Sequence, residues 1–182
     1  MVIHTDRSAA EEQLVAALRA AFDASVMNFG SYNILYAQNL LGGETGGEAT
    51  GGSEPSAQET VAQAPHLLVG YRRGPLEMVL CPVDLEAALA RVHAISAGEG
   101  SDQEDVRPSM PVTVNLTNLA AMSADDDVVE ITLSTGRKVK LRMCGEVRFD
   151  GLSQVRLRQQ NDVEDFNDFL DEFFDTVELM GH

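Results

Sequence analysis

The sequence predicts an α+β fold: an antiparallel, strongly bent sheet or partly open barrel with an N-terminal helix and a C-terminal amphipathic helix. Two observations carry this prediction. Segments in the second half of the chain alternate apolar and polar residues, which is typical of strands with one buried face. A later segment repeats apolar residues every three to four positions, which is typical of a helix packed on a sheet. Because several strands precede that helix, an antiparallel sheet is expected.

The clearest alternation lies in residues 128–143, which are predicted to form a β-hairpin. Because alternate residues of a strand share a face, the pattern favours a register with Leu133 opposite Val139. A shift of one residue would bury charge. This register requires an odd-numbered loop, predicted as residues 135–137 with a bulge. It gathers the apolar side chains of both strands on one face: Val129, Ile131, Leu133, Val139, Leu141 and Met143.

The last predicted helix spans Asp162 to Asp175. Asp162 is predicted as its N-cap, with further acids favourably placed in the positively polarised first turn. Burial of one phenylalanine side chain contributes about 1.5–3 kcal/mol, so docking of this helix on the sheet is predicted to be the largest packing event. Its apolar stripe consists of Val163, Phe166, Phe169, Leu170, Phe173 and Phe174.

Another helix is predicted near the start of the chain, over Ser8 to Asp23. Ser8 and Glu11 have the spacing of a capping box, and apolar residues follow on one face. The other predicted elements are a strand over 31–37, a strand pair over 66–72 and 76–81, a helix capped by Asp84 and extending through Ile95, a strand over 112–116, a turn at 125–127, and a hairpin around Asp150-Gly151 whose second strand contains Val155 and Leu157.

The length of 182 residues predicts a single domain over residues 1–182. Residues 42–65 are predicted to form a flexible Gly/Glu-rich loop, because such a composition buries too little surface to offset its ordering entropy. Residues 97–109 are predicted to form an acidic loop.

The net charge of −16 argues against a nucleic-acid-binding protein, because phosphate backbones would be repelled. It leaves basic proteins or basic peptide segments as partners. The chain lacks a long apolar run, so no integral membrane protein is expected. Cys81 and Cys144 are the only cysteines and are interpreted as reduced core residues of a soluble, cytoplasmic protein.

No catalytic motif is present, so a non-enzymatic protein without cofactors is predicted. Gly98-Glu99-Gly100 lacks the third glycine of a dinucleotide-binding loop. The histidines are scattered without metal-ligand spacing. Asp125–Asp127 lacks the glycine and the alternating ligands of a calcium loop, so no metal site is predicted.

One cluster of charge stands out against the acidic background. Seven of the thirteen Lys and Arg residues lie between Arg137 and Arg158. The candidate binding residues are Lys138, Lys140 and Arg142, which would line the solvent face of one strand and could bind an anion, a phospholipid headgroup or an acidic partner. The alternative is an ordinary outward-facing strand partly neutralised by nearby acids.

The strand run closed by the terminal helix resembles a bacterial pleckstrin-homology-like (PH-like) domain. The residues that carry the resemblance are His66–Tyr71, Leu76–Leu80, Val112–Leu116, Val128–Met143 and the terminal helix. The resemblance implies a bent antiparallel sheet closed at one end by a C-terminal helix. The chain departs from that family by lacking a tryptophan in the helix, by a helix after Asp84 and by the extra hairpin at Asp150-Gly151, so no ligand site transfers from it. The chain is also similar to small acidic secretion-chaperone-like domains.

The function predicted from the sequence is a protein-interaction module whose partner is another protein or a second copy. Its binding surface is expected at an exposed sheet edge or beside the last helix. The alternatives are a domain that binds a small anion through residues 137–142, a secretion-chaperone-like peptide binder, and an uncharacterised hydrolase.

Overall fold

The computed structural model describes residues 8–27, 31–43, 53–98, 108–150 and 152–180. These residues form four helices and nine strands. In chain order the elements are α1 (Ala9–Ser25), β1 (Asn33–Asn39), α2 (Ala57–Gln63), β2 (His66–Arg73), β3 (Leu76–Pro82), α3 (Leu85–Ser96), β4 (Val112–Val114), β5 (Leu119–Asp125), β6 (Val128–Leu133), β7 (Lys138–Arg142), β8 (Glu146–Phe149), β9 (Leu152–Arg158) and α4 (Gln160–Met180).

Seven strands form one antiparallel sheet in the order β4-β3-β2-β1-β7-β6-β5, and β8 and β9 form a separate hairpin. The two edge strands, β4 and β5, follow one another in the chain. Their connection is tightened by Asn118, whose side chain accepts from the Asn115 N–H at 2.9 Å and donates to the Thr113 carbonyl. The sheet is therefore nearly closed into a barrel, and the predicted α+β class with N- and C-terminal helices is confirmed.

Two apolar cores lie on opposite faces of β1, β2 and β3. The inner core fills the barrel and is covered by α4, while the outer core is covered by α1, α3 and the β8–β9 hairpin. In β2, for example, Leu67 and Val69 face the inner core and Leu68 faces the outer core. A Cβ atom at Gly70 would collide with the Phe22 ring, so glycine lets α1 lie close to the sheet.

The β6–β7 hairpin has the predicted faces but a different register. Ile131 lies opposite Val139 and Val129 lies opposite Leu141, so the predicted pairing of Leu133 with Val139 is wrong by two residues. The loop closes through two 2.8 Å hydrogen bonds, one from the Leu133 N–H to the Arg137 carbonyl and one from the Gly136 N–H to the Leu133 carbonyl. A two-residue shift keeps every side chain on its face, which is why alternation alone does not distinguish the two registers.

Helix α4 confirms the predicted apolar stripe. Phe166, Phe169, Leu170 and Phe173 are buried in the inner core, and Val163 and Phe174 pack partly buried against it. The Tyr71 ring lies 5.1 Å from that of Phe166 and 5.2 Å from that of Phe169. Asp162 is not the N-cap, however. The helix begins at Gln160, because the Gln159 carbonyl accepts from the Val163 N–H at 2.9 Å.

The other predicted helix starts agree with the structure. Ser8 caps α1 by accepting from the Glu11 N–H at 3.2 Å, and Asp84 caps α3 by accepting from the Ala87 N–H at 3.0 Å. The strand pair β2–β3, the turn before β6 and the β8–β9 hairpin also lie where expected, with Val155 and Leu157 buried on β9.

Residues 42–65 are not all loop. Helix α2 occupies residues 57–63 behind a capping box, in which Ser56 accepts from the Glu59 N–H and the Glu59 side chain accepts from the Ser56 N–H. The physical reason is that Val61 is fully buried in the inner core, so this short segment does gain apolar burial on folding. Residues 44–52, and residues 99–107 of the predicted acidic loop, lie outside the described residues.

Candidate functional site

The three candidate basic residues lie on the outward face of β7. Lys138, Lys140 and Arg142 alternate with Val139 and Leu141, which are fully buried. The side chains of Lys138 and Arg142 are 55% and 46% exposed. The prediction that these cations share one solvent face of a strand is therefore confirmed.

Acidic side chains accompany this basic face. Lys138 Nζ lies 3.6 Å from Glu130 Oε1, and Arg142 Nε lies 3.8 Å from Asp127 Oδ2. Glu130 lies opposite Lys140 in the β6–β7 register. Ion pairs this exposed contribute about 0–1 kcal/mol, so they orient the cations without fixing them. Strand β7 pairs with both β1 and β6, so its backbone is not a free edge.

Strand β5 presents a different kind of surface, because the described residues pair it on one side only, with β6. It is seven residues long, whereas β4 at the other end of the sheet has three. Strand β5 was not predicted from the sequence, since residues 119–125 contain no β-branched or aromatic residue. The signal that could have revealed it is the acidic turn before β6, which implies a preceding hairpin strand.

The side chains of β5 divide between two environments. Leu119 and Met122 pack partly exposed against the inner core. Ala121 and Ser123 are exposed and lie opposite Thr132 and Glu130 of β6. The strand thus offers an unpaired edge with half-covered apolar side chains on the core side and small side chains on the solvent side.

The side chains of β5 give its edge little of the usual protection against pairing. Neither lysine nor proline occurs among its residues, and its side chains other than Leu119 and Met122 are small or acidic. One irregularity is a shift in register between Leu119 and Ala121 at the start of the strand. Beyond it, the register to β6 is regular through Asp125.

Other titratable clusters serve to dock elements. The Tyr71 hydroxyl donates to Asp165 Oδ2 at 2.8 Å. Arg73 of β2 forms ion pairs with Asp165 and Glu172 of α4. The hydrogen bond from the Arg73 guanidinium lowers the pKa of Asp165, burial opposes this, and the Tyr71 hydroxyl adds a smaller lowering effect. Burial raises the pKa of Tyr71. These groups hold α4 on the sheet.

The cysteines differ in their surroundings. Cys81 is fully buried, and burial raises the pKa of its thiol, as expected for a small core residue. Cys144 is half-buried. Within the described ranges no three His, Cys, Asp or Glu side chains are grouped so that they could hold a metal ion.

In comparisons with known proteins, no family model, no curated protein and no solved structure matches this chain. Among the described helices, none combines the length and the apolar character needed to cross a membrane.

Proposed function

We propose that the protein is a non-enzymatic protein-interaction module that binds an extended, basic peptide segment along β5. The observation that carries this proposal is a seven-residue edge strand that pairs on one side only within the described residues. Strand addition supplies affinity through main-chain hydrogen bonds and specificity through alternate side chains.

The pattern of side chains along β5 specifies the kind of peptide. Added next to β5, a strand would place every second side chain beside Leu119 and Met122, where apolar groups cover surface that is now half-exposed. The intervening side chains would lie beside Ala121 and Ser123, toward Glu130. A peptide that alternates apolar and basic residues therefore matches both the core side and the solvent side of β5.

Charge favours a basic partner over a second copy of this chain. The net charge is −16, and exposed Asp125, Asp126 and Asp127 lie where β5 ends. Such a field speeds association with a cationic peptide and opposes approach of an equally acidic copy or of a nucleic acid. This assignment is of the same class as the secretion-chaperone-like peptide binder predicted from the sequence.

The cellular setting belongs to the same proposal. Both cysteines are free thiols, as expected for a protein that works in the reducing cytoplasm. The resemblance to bacterial PH-like domains stays a prediction of the sequence, and the peptide proposal does not depend on it.

The test is titration of the full chain with two synthetic peptides of equal composition. One alternates lysine and valine, and the other groups the lysines at one end. We expect the alternating peptide to bind more tightly and to shift the backbone amide resonances of residues 119–125. Ser123→Lys should weaken its binding by about tenfold, or ~1.4 kcal/mol, because a new cation at the edge repels the peptide.

Thr132→Lys is the matched control. It adds the same charge on the same face, one strand away from the edge and opposite Ala121. Equal binding of both peptides, or equal weakening by both substitutions, would mean that only diffuse charge attracts the peptide and would refute strand addition.

A further inference from the structure

A cavity of about 320 Å³ lies on the outer side of the sheet. It is bordered by α3, by the β8–β9 hairpin and by residues at the ends of β1, β2 and β7. Its volume is at the lower end of the range for small-molecule sites. The cavity is lined by other elements than β5, so it is independent of the edge strand.

The lining of this cavity contains hydrogen-bond donors. Arg142 from β7 and Arg148 from β8 both line it, together with His66 and Tyr36. Among the described residues of the lining, Asp150 is the one that is acidic. The two guanidinium groups supply cationic donors to the lining, and each is also paired with a carboxylate outside it, Asp127 for Arg142 and Glu146 for Arg148.

The two arginines remain accessible. Arg142 Nε lies 3.8 Å from Asp127, and Arg148 Nε lies 3.4 Å from Glu146. Their side chains are 46% and 66% exposed. Ion pairs at these distances on the surface are weak. An oxyanion can therefore displace the carboxylates, or share the guanidinium groups with them, through bidentate hydrogen bonds.

His66 adds an imidazole ring to the lining. The Tyr36 hydroxyl lies 2.7 Å from His66 Nδ1, and burial raises the pKa of Tyr36 to about 12, so the hydroxyl keeps its proton at neutral pH. When that hydroxyl donates to Nδ1, the neutral ring carries its proton on Nε2. In that tautomer the Nε2–H group can donate a hydrogen bond to an oxyanion.

Apolar side chains line the cavity as well. Leu89 from α3 and Phe149 from β8 are both buried and line the cavity beside the Tyr36 ring, whose centroid lies 5.6 Å from that of Phe149. Leu85 and Val147 also line the cavity and are only partly buried, so a ligand that carried only charge would leave apolar surface uncovered. The lining therefore matches a molecule with two chemically different ends.

We propose that this cavity binds a small organic oxyanion, a phosphate ester or a carboxylate, whose apolar group packs on Leu85 and Val147 while the anion binds Arg142 and Arg148. This site differs from the basic face of β7, since Lys138 and Lys140 do not line the cavity.

The experiment titrates the full-length protein with phenyl phosphate, benzoate, inorganic phosphate and phenol, and follows amide resonances. We expect phenyl phosphate or benzoate to bind more tightly than inorganic phosphate or phenol and to shift the resonances of Arg142, Arg148 and Leu89. Arg142→Gln and Arg148→Gln should each weaken that binding by about tenfold. The ratio between phenyl phosphate and benzoate distinguishes a phosphate ester from a carboxylate.

Two matched controls are built into the fold. Lys138→Gln removes a cation from the same strand as Arg142, and Arg156→Gln removes an arginine that lies opposite Arg148 in the hairpin. Both should change affinity less than about twofold. Equal losses in all four variants, stronger binding of inorganic phosphate than of phenyl phosphate and benzoate, or no shift at the cavity with any of the four compounds would each overturn the proposal.

Discussion

His66 shows how burial of one residue makes stability depend on pH. It is half-buried at the start of β2, its ring stacks 5.9 Å from the Tyr36 ring, and the Tyr36 hydroxyl contacts Nδ1. Burial disfavours the charged imidazolium and lowers the pKa of His66 below 6.5. The unfolded chain, whose histidine keeps the ordinary pKa, therefore binds a proton more readily than the folded chain does.

The sign of the resulting pH dependence follows from this difference. As the pH falls through 6.5, the unfolded state gains a proton first, so the contribution of His66 to the free energy of unfolding decreases. We expect His66→Gln to be destabilised relative to wild type near pH 8, because the contact with Tyr36 is altered, and this difference to shrink toward about pH 5. Urea unfolding at both pH values measures it. A difference that stays constant, or grows on acidification, would contradict the assignment.

Glu11 marks the limit of sequence-based prediction at the residue scale. The capping-box spacing correctly predicts that α1 begins after Ser8, and Ser8 accepts from the Glu11 N–H. The Glu11 carboxylate, however, is 2% exposed and binds the guanidinium and the backbone N–H of Arg158 at distances of 2.8–3.4 Å. A local motif carries no information about a partner 147 residues away.

At the scale of elements, α4 is attached to the barrel by a chain of aromatic contacts. Phe169 lies at its centre, 5.7 Å from both Phe166 and Phe173 and 5.2 Å from Tyr71, measured between ring centroids. It is fully buried, so truncation leaves a cavity that the barrel wall cannot fill.

We expect Phe169→Ala to lower the free energy of unfolding by about 3–5 kcal/mol, measured by urea denaturation. Val177→Ala is the control. Val177 continues the same stripe but is 36% exposed, and its truncation should cost less than about 1 kcal/mol. Similar losses for both variants would mean that the whole stripe, rather than the part within the barrel, holds α4.

Prediction of the elements succeeded where apolar residues recur with a strong period. It failed where tertiary contacts determine the local conformation. The alternation in β6 and β7 and the stripe of α4 are periodic, and both were predicted. Helix α2 depends on the buried Asn39 of β1, whose amide donates to the carbonyls of Ala62 and Ala64 at 3.1 and 3.0 Å. Nothing in the Gly/Glu-rich composition before α2 reveals these hydrogen bonds from Asn39.

The same dependence on tertiary contacts explains why β5 was not predicted and why the surroundings of the basic residues were not. Strand β5 gains its extended form by pairing with β6, not from its own small residues. The candidate basic residues were predicted because alternation fixes the face of a strand. That Arg142 alone of the three borders a cavity depends on how α3 and the β8–β9 hairpin pack, which no local pattern encodes.

For the molecule as a whole, the central strands connect the two cores. Strands β1 to β3 contribute alternate residues to the inner and outer clusters, as Leu35 and Tyr36 do in β1. This explains why β2 and β3 read as nearly continuous apolar runs whereas β6 and β7 alternate. Substitutions in either core therefore weaken strands that the other core shares.

Net charge acts on the same scale. With 29 acidic and 13 basic side chains, the folded chain holds more negative charges close together than the expanded chain does, so self-repulsion favours unfolding. Raising sodium chloride from about 0.01 M to about 0.15 M shortens the screening length from ~30 Å to ~8 Å. We expect the melting temperature to rise by about 2–4 °C, which corresponds to ~1 kcal/mol for a domain of this size.

A matched variant separates this repulsion from the ion pairs that salt weakens. Asp168 and Asp171 are exposed on α4, so the double substitution Asp168→Asn and Asp171→Asn removes two like charges without disturbing the apolar stripe. It should raise the melting temperature at low salt and reduce the further gain on adding salt. If wild type instead becomes less stable as salt is added, the pairs that join β2 to α4 through Arg73, together with Glu11 and Arg158, outweigh the repulsion among the excess acids. The low-salt behaviour of this strongly acidic chain would then reflect its specific ion pairs rather than its net charge.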